Sequence, residues 1–178
     1  MRIDKDQSLV LVVDIQEKLL PHIENKEVLV HKTVTLVKGI RALGIPYIAA
    51  RQYPQGLGDT ILELRPYFNS YCDKMTFSCC GNEALMAELH GTGRKKIIIA
   101  GIEAHICVLQ TVIDLSASGF LPIVVTDAIG SRNGHDYKMA LKRMEYEGAI
   151  LTTVESVLFE LCYQAGTEEF KTISRLVK

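Results

Sequence analysis

Residues 96–108 read K-I-I-I-A-G-I-E-A-H-I-C-V, and this stretch decides the fold. Its first half is apolar without alternation, as a strand covered on both faces would be. Its second half turns at Gly101 and enters a run of helical length, His105 to Ala117, that stops at Gly119. A buried strand feeding a helix through a short turn is half of a strand–helix–strand crossover.

The same grammar repeats outward in both directions. Apolar, β-branched runs lie at Ser8 to Val13, Ile45 to Ala50 and Leu121 to Asp127. Helix-length stretches lie at Val28 to Leu43, Glu83 to His90 and His135 to Glu147, with Gly44, Gly91 and Gly148 as stops. Ala149 to Thr153 reads as a fifth strand, and Val154 to Tyr163 and Glu168 to Val177 as two closing helices. The last is amphipathic and suited to an edge or a subunit contact. Strict alternation of strand and helix predicts the α/β class: one mainly parallel, doubly wound sheet with right-handed crossovers and helices on both faces. Only Arg51 to Asn82 breaks the rhythm, with Pro54, Gly56, Gly58 and Pro66 in a long connection of little periodicity.

Composition excludes several classes of function. A chain of 178 residues builds one substantial core, and no composition shift divides it, so residues 1–178 read as a single domain. Lys and Arg number 20 against 21 Asp and Glu, with no basic stripe, so nucleic acid is not an expected partner. No stretch approaches the roughly 18 apolar residues of a membrane span, and the opening M-R-I-D-K-D-Q-S-L-V-L-V-V-D reads as a buried strand instead of a signal peptide. Five cysteines, an odd number with no C-x-x-C spacing, predict free thiols in a reducing, cytoplasmic setting. The histidines His22, His31, His90, His105 and His135 are scattered, so no metal site is expected.

Ligands in open α/β sheets bind beyond the carboxyl ends of the strands. Residues there are Asp14, the segment Glu103 to Cys107, Asp127 and Ser131. Cys107 lies in the first turn of its helix, where free N–H groups and the helix dipole favour a thiolate; a small buried core residue reads equally well there. Asp14, at the end of an apolar strand, needs a partner, either as a helix cap or as half of an ion pair. Lys74, taken alone, reads as a solvated surface charge.

Three segments taken together, V-V-D-I-Q at 12–16, D-K-M-T-F-S at 73–78 and A-G-I-E-A-H-I-C-V at 100–108, resemble the isochorismatase-like cysteine hydrolases. That superfamily includes isochorismatases, nicotinamidases and N-carbamoyl amidohydrolases, and the resemblance runs from Ser8 to about Val157. It implies a Rossmann-like three-layer sandwich and a triad of Asp14, Lys74 and Cys107. It also implies a cis peptide between Ile102 and Glu103, with the N–H groups of Glu103 and Cys107 facing one oxyanion. Asp14 would act as general base, Lys74 would lower the thiol pKa, and a thioester would form and hydrolyse. Where nicotinamidases carry metal ligands after the second strand, this chain reads A-R-Q-Y-P-Q-G-L-G, so it is similar to a metal-free branch with no cofactor. Gln16, Gln52, Tyr53, Phe77 and His105 are expected by position to line the substrate pocket, His105 having a helix cap as its other reading.

The function implied is hydrolysis of a C–N bond in a small amide or carbamoyl-type substrate by a homo-oligomer. The alternatives are isochorismate vinyl-ether hydrolysis, a non-catalytic oligomeric interaction protein, and a redox sensor pairing Cys107 with Cys79 or Cys80.

Overall fold

The computed structural model describes residues 1–178. Six parallel strands form one sheet in the order β3-β2-β1-β4-β5-β6: β1 Ser8–Val13, β2 Tyr47–Gln52, β3 Cys72–Lys74, β4 Lys96–Ile102, β5 Leu121–Gly130 and β6 Ile150–Thr152. The helices are α1 Lys26–Ala42, α2 Pro54–Leu57, α3 Glu83–Gly91, α4 Leu109–Ala117, α5 Gly134–Tyr146, α6 Val154–Cys162 and α7 Glu168–Leu176. The order reverses direction between β1 and β4, the switch point at which such sheets open a crevice.

The apolar runs sort residue by residue onto two faces, because successive side chains of a strand point oppositely. Val10, Val12, Ile98, Ala100 and Ile123 join one core cluster, which Leu36 and Ile40 of α1 and Val157 and Leu158 of α6 cover. Leu9, Leu11, Val13, Ile97, Ile99 and Val124 join the other, under Leu85, Val112 and Met144 of α3, α4 and α5. The α/β three-layer expectation therefore holds, with both faces dry. The closing amphipathic helix, α7, buries Ile173 in the first cluster and packs on α1 and α6.

Three readings of the sequence need correction. The stretch 51–82 is not a plain connection: it supplies α2 and the edge strand β3, registered Ala50↔Cys72, Arg51↔Asp73 and Gln52↔Lys74. C-D-K carries no β-branched residue, and a clamp outside the strand's own propensity holds it. Arg51 donates to both Asp73 oxygens, Nε at 2.7 Å and Nη2 at 3.0 Å, with its guanidinium 4.4 Å from the Tyr71 ring. Helix α3 runs through Gly91, and its left-handed stop is Gly93. Finally, the helix carrying Cys107 does not begin as an α-helix: Ala104–Val108 form one wide π turn before α4.

Candidate functional site

Asp14 follows the last residue of β1 with φ 52°, a left-handed conformation that an aspartate tolerates better than most side chains. Its N–H donates to Ala50 O at 3.1 Å, so the strand ladder is kept while the carboxylate turns inward, fully buried. Across the switch point, Gly101 takes φ 137°, and a Cβ there would lie 2.1 Å from Val13 O. Only glycine lets β4 pass this close to the end of β1, and the closeness brings the Cys107 turn up to Asp14.

Lys74 ends β3 and points under the sheet edge instead of into water. Its Nζ donates to Asp14 Oδ2 at 2.6 Å, Gln52 Oε1 at 2.7 Å and Phe77 O at 2.9 Å. Three good acceptors saturate an ammonium, which offsets the desolvation of a side chain 1% exposed. The second oxygen of the carboxylate, Asp14 Oδ1, is buried without a hydrogen-bond partner of good geometry. Burial pushes the Asp14 carboxyl above the ordinary aspartate value, against the opposing pull of Lys74 and weaker hydrogen bonding from the Cys107 thiol.

Cys107 is 5% exposed, and burial pushes its thiol up to about 12, with the Asp14 charge adding to the rise and Lys74 opposing it. Lys74 lowers the thiol pKa as expected, but desolvation outweighs it and the net shift is upward. The peptide before Glu103 is cis. Glu103 O accepts from the N–H groups of Ile106 at 3.1 Å and Val108 at 3.2 Å, passing over the Cys107 N–H between them. The π turn is anchored from behind by Thr111, whose Oγ1 donates to Cys107 O at 2.7 Å and accepts the Cys79 N–H at 2.9 Å. Burial also raises the Cys79 thiol well above its usual range.

The other residues predicted against the substrate are placed differently. Gln16 is buried with its amide fully used: Nε2 donates to Gln52 O and Gly58 O, and Oε1 accepts the Gln52 N–H at 2.7 Å. Gln52 clamps Lys74 and donates Nε2 to Met75 O at 2.8 Å. The Gln16 amide is fully used in bracing, while Gln52 keeps one Nε2 N–H without a partner in the protein. Tyr53 and Phe77 are exposed, Tyr53 lying against Gly56. His105 Nδ1 sits 3.0 Å from Ser131 Oγ, with no cap to its own helix. A cavity of about 260 Å3 beside the end of β5 reaches Ser131 but contains neither Asp14 nor Cys107. No group of three His, Cys, Asp or Glu side chains is arranged to hold a metal ion.

Sequence reading missed Arg132. Its Nε donates to Glu103 Oε2 at 2.7 Å, joining the end of β5 to the turn before Cys107. A lone arginine in S-R-N-G carries no local signal of that pairing, 29 residues away.

Residues 8–156 match the Isochorismatase domain. The secreted isochorismatase effector Isc1 of Phytophthora sojae is 36% identical over 99% of this chain and 87% of its own length. The MAR1 ribonuclease of Caenorhabditis elegans superposes with a TM-score of 0.92 at 36% identity, over 99% of this chain and 92% of that one. YcaC of Escherichia coli, described as an octameric hydrolase of unknown specificity, superposes with a TM-score of 0.93 at 27% identity, over 99% of this chain and 89% of that one. No helix here is long and apolar enough to cross a membrane. With a domain match across most of its length and relatives of this similarity, the chain belongs to the isochorismatase family of hydrolases.

Proposed function

We propose that this protein is a cysteine-dependent hydrolase of a small amide or carbamoyl-type substrate, with Cys107 as nucleophile, Asp14 as general base and Lys74 as the cation that holds Asp14. The observation that carries the reading is the division of labour within one carboxylate: Oδ2 is taken by Lys74, while Oδ1 is buried without a hydrogen bond of good geometry, and the Cys107 thiol bonds the carboxylate only weakly. A buried oxygen with no partner is costly and invites a functional explanation. A base raised above the usual carboxylate range is better matched to a thiol than an ordinary aspartate.

In this reading Asp14 takes the thiol proton as Cys107 Sγ bonds to the substrate carbonyl carbon. The oxyanion is held by the N–H groups of Glu103 and Cys107. Collapse breaks the C–N bond, the leaving nitrogen takes the proton from Asp14, and a thioester remains. Water then gives a proton to Asp14 and attacks the thioester, releasing the acid and restoring the thiol. Lys74 keeps Asp14 in place throughout and lies too deep to meet substrate.

An assembly of several copies and a cytoplasmic setting complete the proposal. The octameric relative supports the first, with Tyr53, Met75 and Phe77 exposed around the β3 edge; the five unpaired cysteines suit the second. Light scattering after gel filtration tests the assembly, and a monomer at micromolar concentration would refute it. Screening small amides and carbamoyl compounds by ammonia or amine release tests the chemistry. Turnover that survives Cys107→Ala would eliminate the cysteine mechanism.

A further inference from the structure

Resting on that reading, we infer that Glu103 is a specificity residue that selects an uncharged substrate presenting an amide N–H and turns away one presenting a carboxylate at the same place. Glu103 belongs to the turn that carries the nucleophile, and its carbonyl shapes the π turn by accepting from Ile106 and Val108. The residue is 8% exposed, so its charge is only partly hydrated. One oxygen, Oε2, is neutralised by Arg132 Nε at 2.7 Å; the other, Oε1, accepts no hydrogen bond from the protein. A carboxylate oxygen so placed is an acceptor that only water fills, and a ligand bringing a donor can replace that water without losing its hydrogen bond, whereas one bringing lone pairs cannot.

The same residue offers a second, opposite group. The Glu103 N–H makes no hydrogen bond within the protein, so one residue presents a free donor and a free acceptor. A primary amide or ureido group carries the complement, a carbonyl oxygen and an N–H two bonds apart. A carboxylate carries only acceptors and would set lone pairs against Oε1, a mismatch that polar sites reject far more strongly than a lost apolar contact. Glu103 immediately precedes the Ala104–Val108 turn that carries Cys107, so the selection acts beside the nucleophile.

Arg132 is a positioning residue in this scheme. Its side chain is 56% exposed and touches Glu103 through Nε, which fixes the carboxylate without occupying Oε1.

Two matched alkylating agents test the inference without knowledge of the substrate. Iodoacetamide presents an amide and iodoacetate a carboxylate, and each forms one Sγ–C bond with loss of iodide. Cys107 labelling rates are read by peptide mass spectrometry in the native protein and, as reference, in the same chain unfolded in urea. The native ratio of amide to acid labelling is expected to exceed the unfolded ratio by about tenfold, the scale of one charge acting over a few ångströms at a partly covered site. Glu103→Gln is expected to bring the ratio down towards the unfolded one, and Arg132→Lys to keep it. A purely structural role would change both rates together and leave the ratio intact. A native ratio equal to the unfolded one, or one unmoved by Glu103→Gln, overturns the inference while the cysteine mechanism stands. Failure of both reagents to label native Cys107 would remove the nucleophile itself, and the inference with it.

Discussion

Two ion pairs flank the Cys107 turn with almost the same geometry, Lys74 to Asp14 at 2.6 Å and Arg132 to Glu103 at 2.7 Å, yet they do different work. The first is dry, with side chains 1% and 0% exposed, and its lysine is saturated by Gln52 and Phe77 O. The second is half in water, with its arginine loose on one side. Length alone therefore says little about an ion pair. In the dry pair, loss of one partner strands a charge in a low dielectric; in the wet one, solvent takes over.

The sharpest way to break the comparison is Asp14→Asn. It is expected to slow iodoacetamide labelling of Cys107 by a factor of about 100 to 10,000 at neutral pH, the usual weight of a general base. In the unsubstituted protein the labelling rate should fall as pH drops through the Asp14 pKa, which burial holds above the ordinary aspartate value. In the asparagine variant it should instead climb with pH as a buried thiol does. Equal rates and equal profiles in the two proteins would remove Asp14 from the role of base.

Lys74→Met comes next. It is expected to cost about 3–5 kcal/mol in urea unfolding at pH 8, because it leaves a buried carboxylate unpaired. The sign with pH follows from the direction of the shift. A carboxyl whose folded pKa is raised above its unfolded value penalises the fold at pH above both, and the penalty disappears as pH falls through the folded pKa. The deficit of Lys74→Met relative to the parent should accordingly shrink between pH 8 and pH 5. A deficit independent of pH would place the cost in packing.

Gln52→Leu probes the clamp on the dry pair. Removing one acceptor from Lys74 and one donor to Met75 O is expected to lower stability by about 1–3 kcal/mol, read as a shifted urea midpoint with unchanged slope. The smallest effect belongs to the wet pair: Arg132→Ala should change unfolding free energy by less than about 1 kcal/mol. A larger loss there would show that Glu103 is as dependent on its partner as Asp14 is.

Legibility in the sequence followed burial. Strands β1, β2, β4 and β5 announced themselves because covering both faces requires unbroken apolar runs, and the C-terminal ends of α1, α3, α4 and α5 were found within a residue or two from glycines. Strand β3 gave no such sign, since C-D-K is held by the Arg51–Asp73 clamp and its pairing to β2. Asp14 was conspicuous as an acid closing an apolar strand, and Cys107 by its place after β4. Lys74 looked like a surface lysine until the resemblance of D-K-M-T-F-S drew attention to it. Arg132 had no signal, because its partner lies on another strand's turn.

The sequence by itself determined the α/β class, the doubly wound order of elements and the two strand ends where an acid and a thiol face the crevice. Each of those leaves a local mark, in hydropathy, in glycines, or in a polar residue where none is affordable. Tertiary structure alone decided that Lys74 Nζ reaches Oδ2 of Asp14, 60 residues away, that the Gln16 amide is consumed in bracing and that Gln52 clamps Lys74. It also decided that burial pushes the Cys107 thiol up to about 12. Those outcomes depend on distance and on the exclusion of water between segments far apart in the chain, and neither quantity is written in any short stretch of residues.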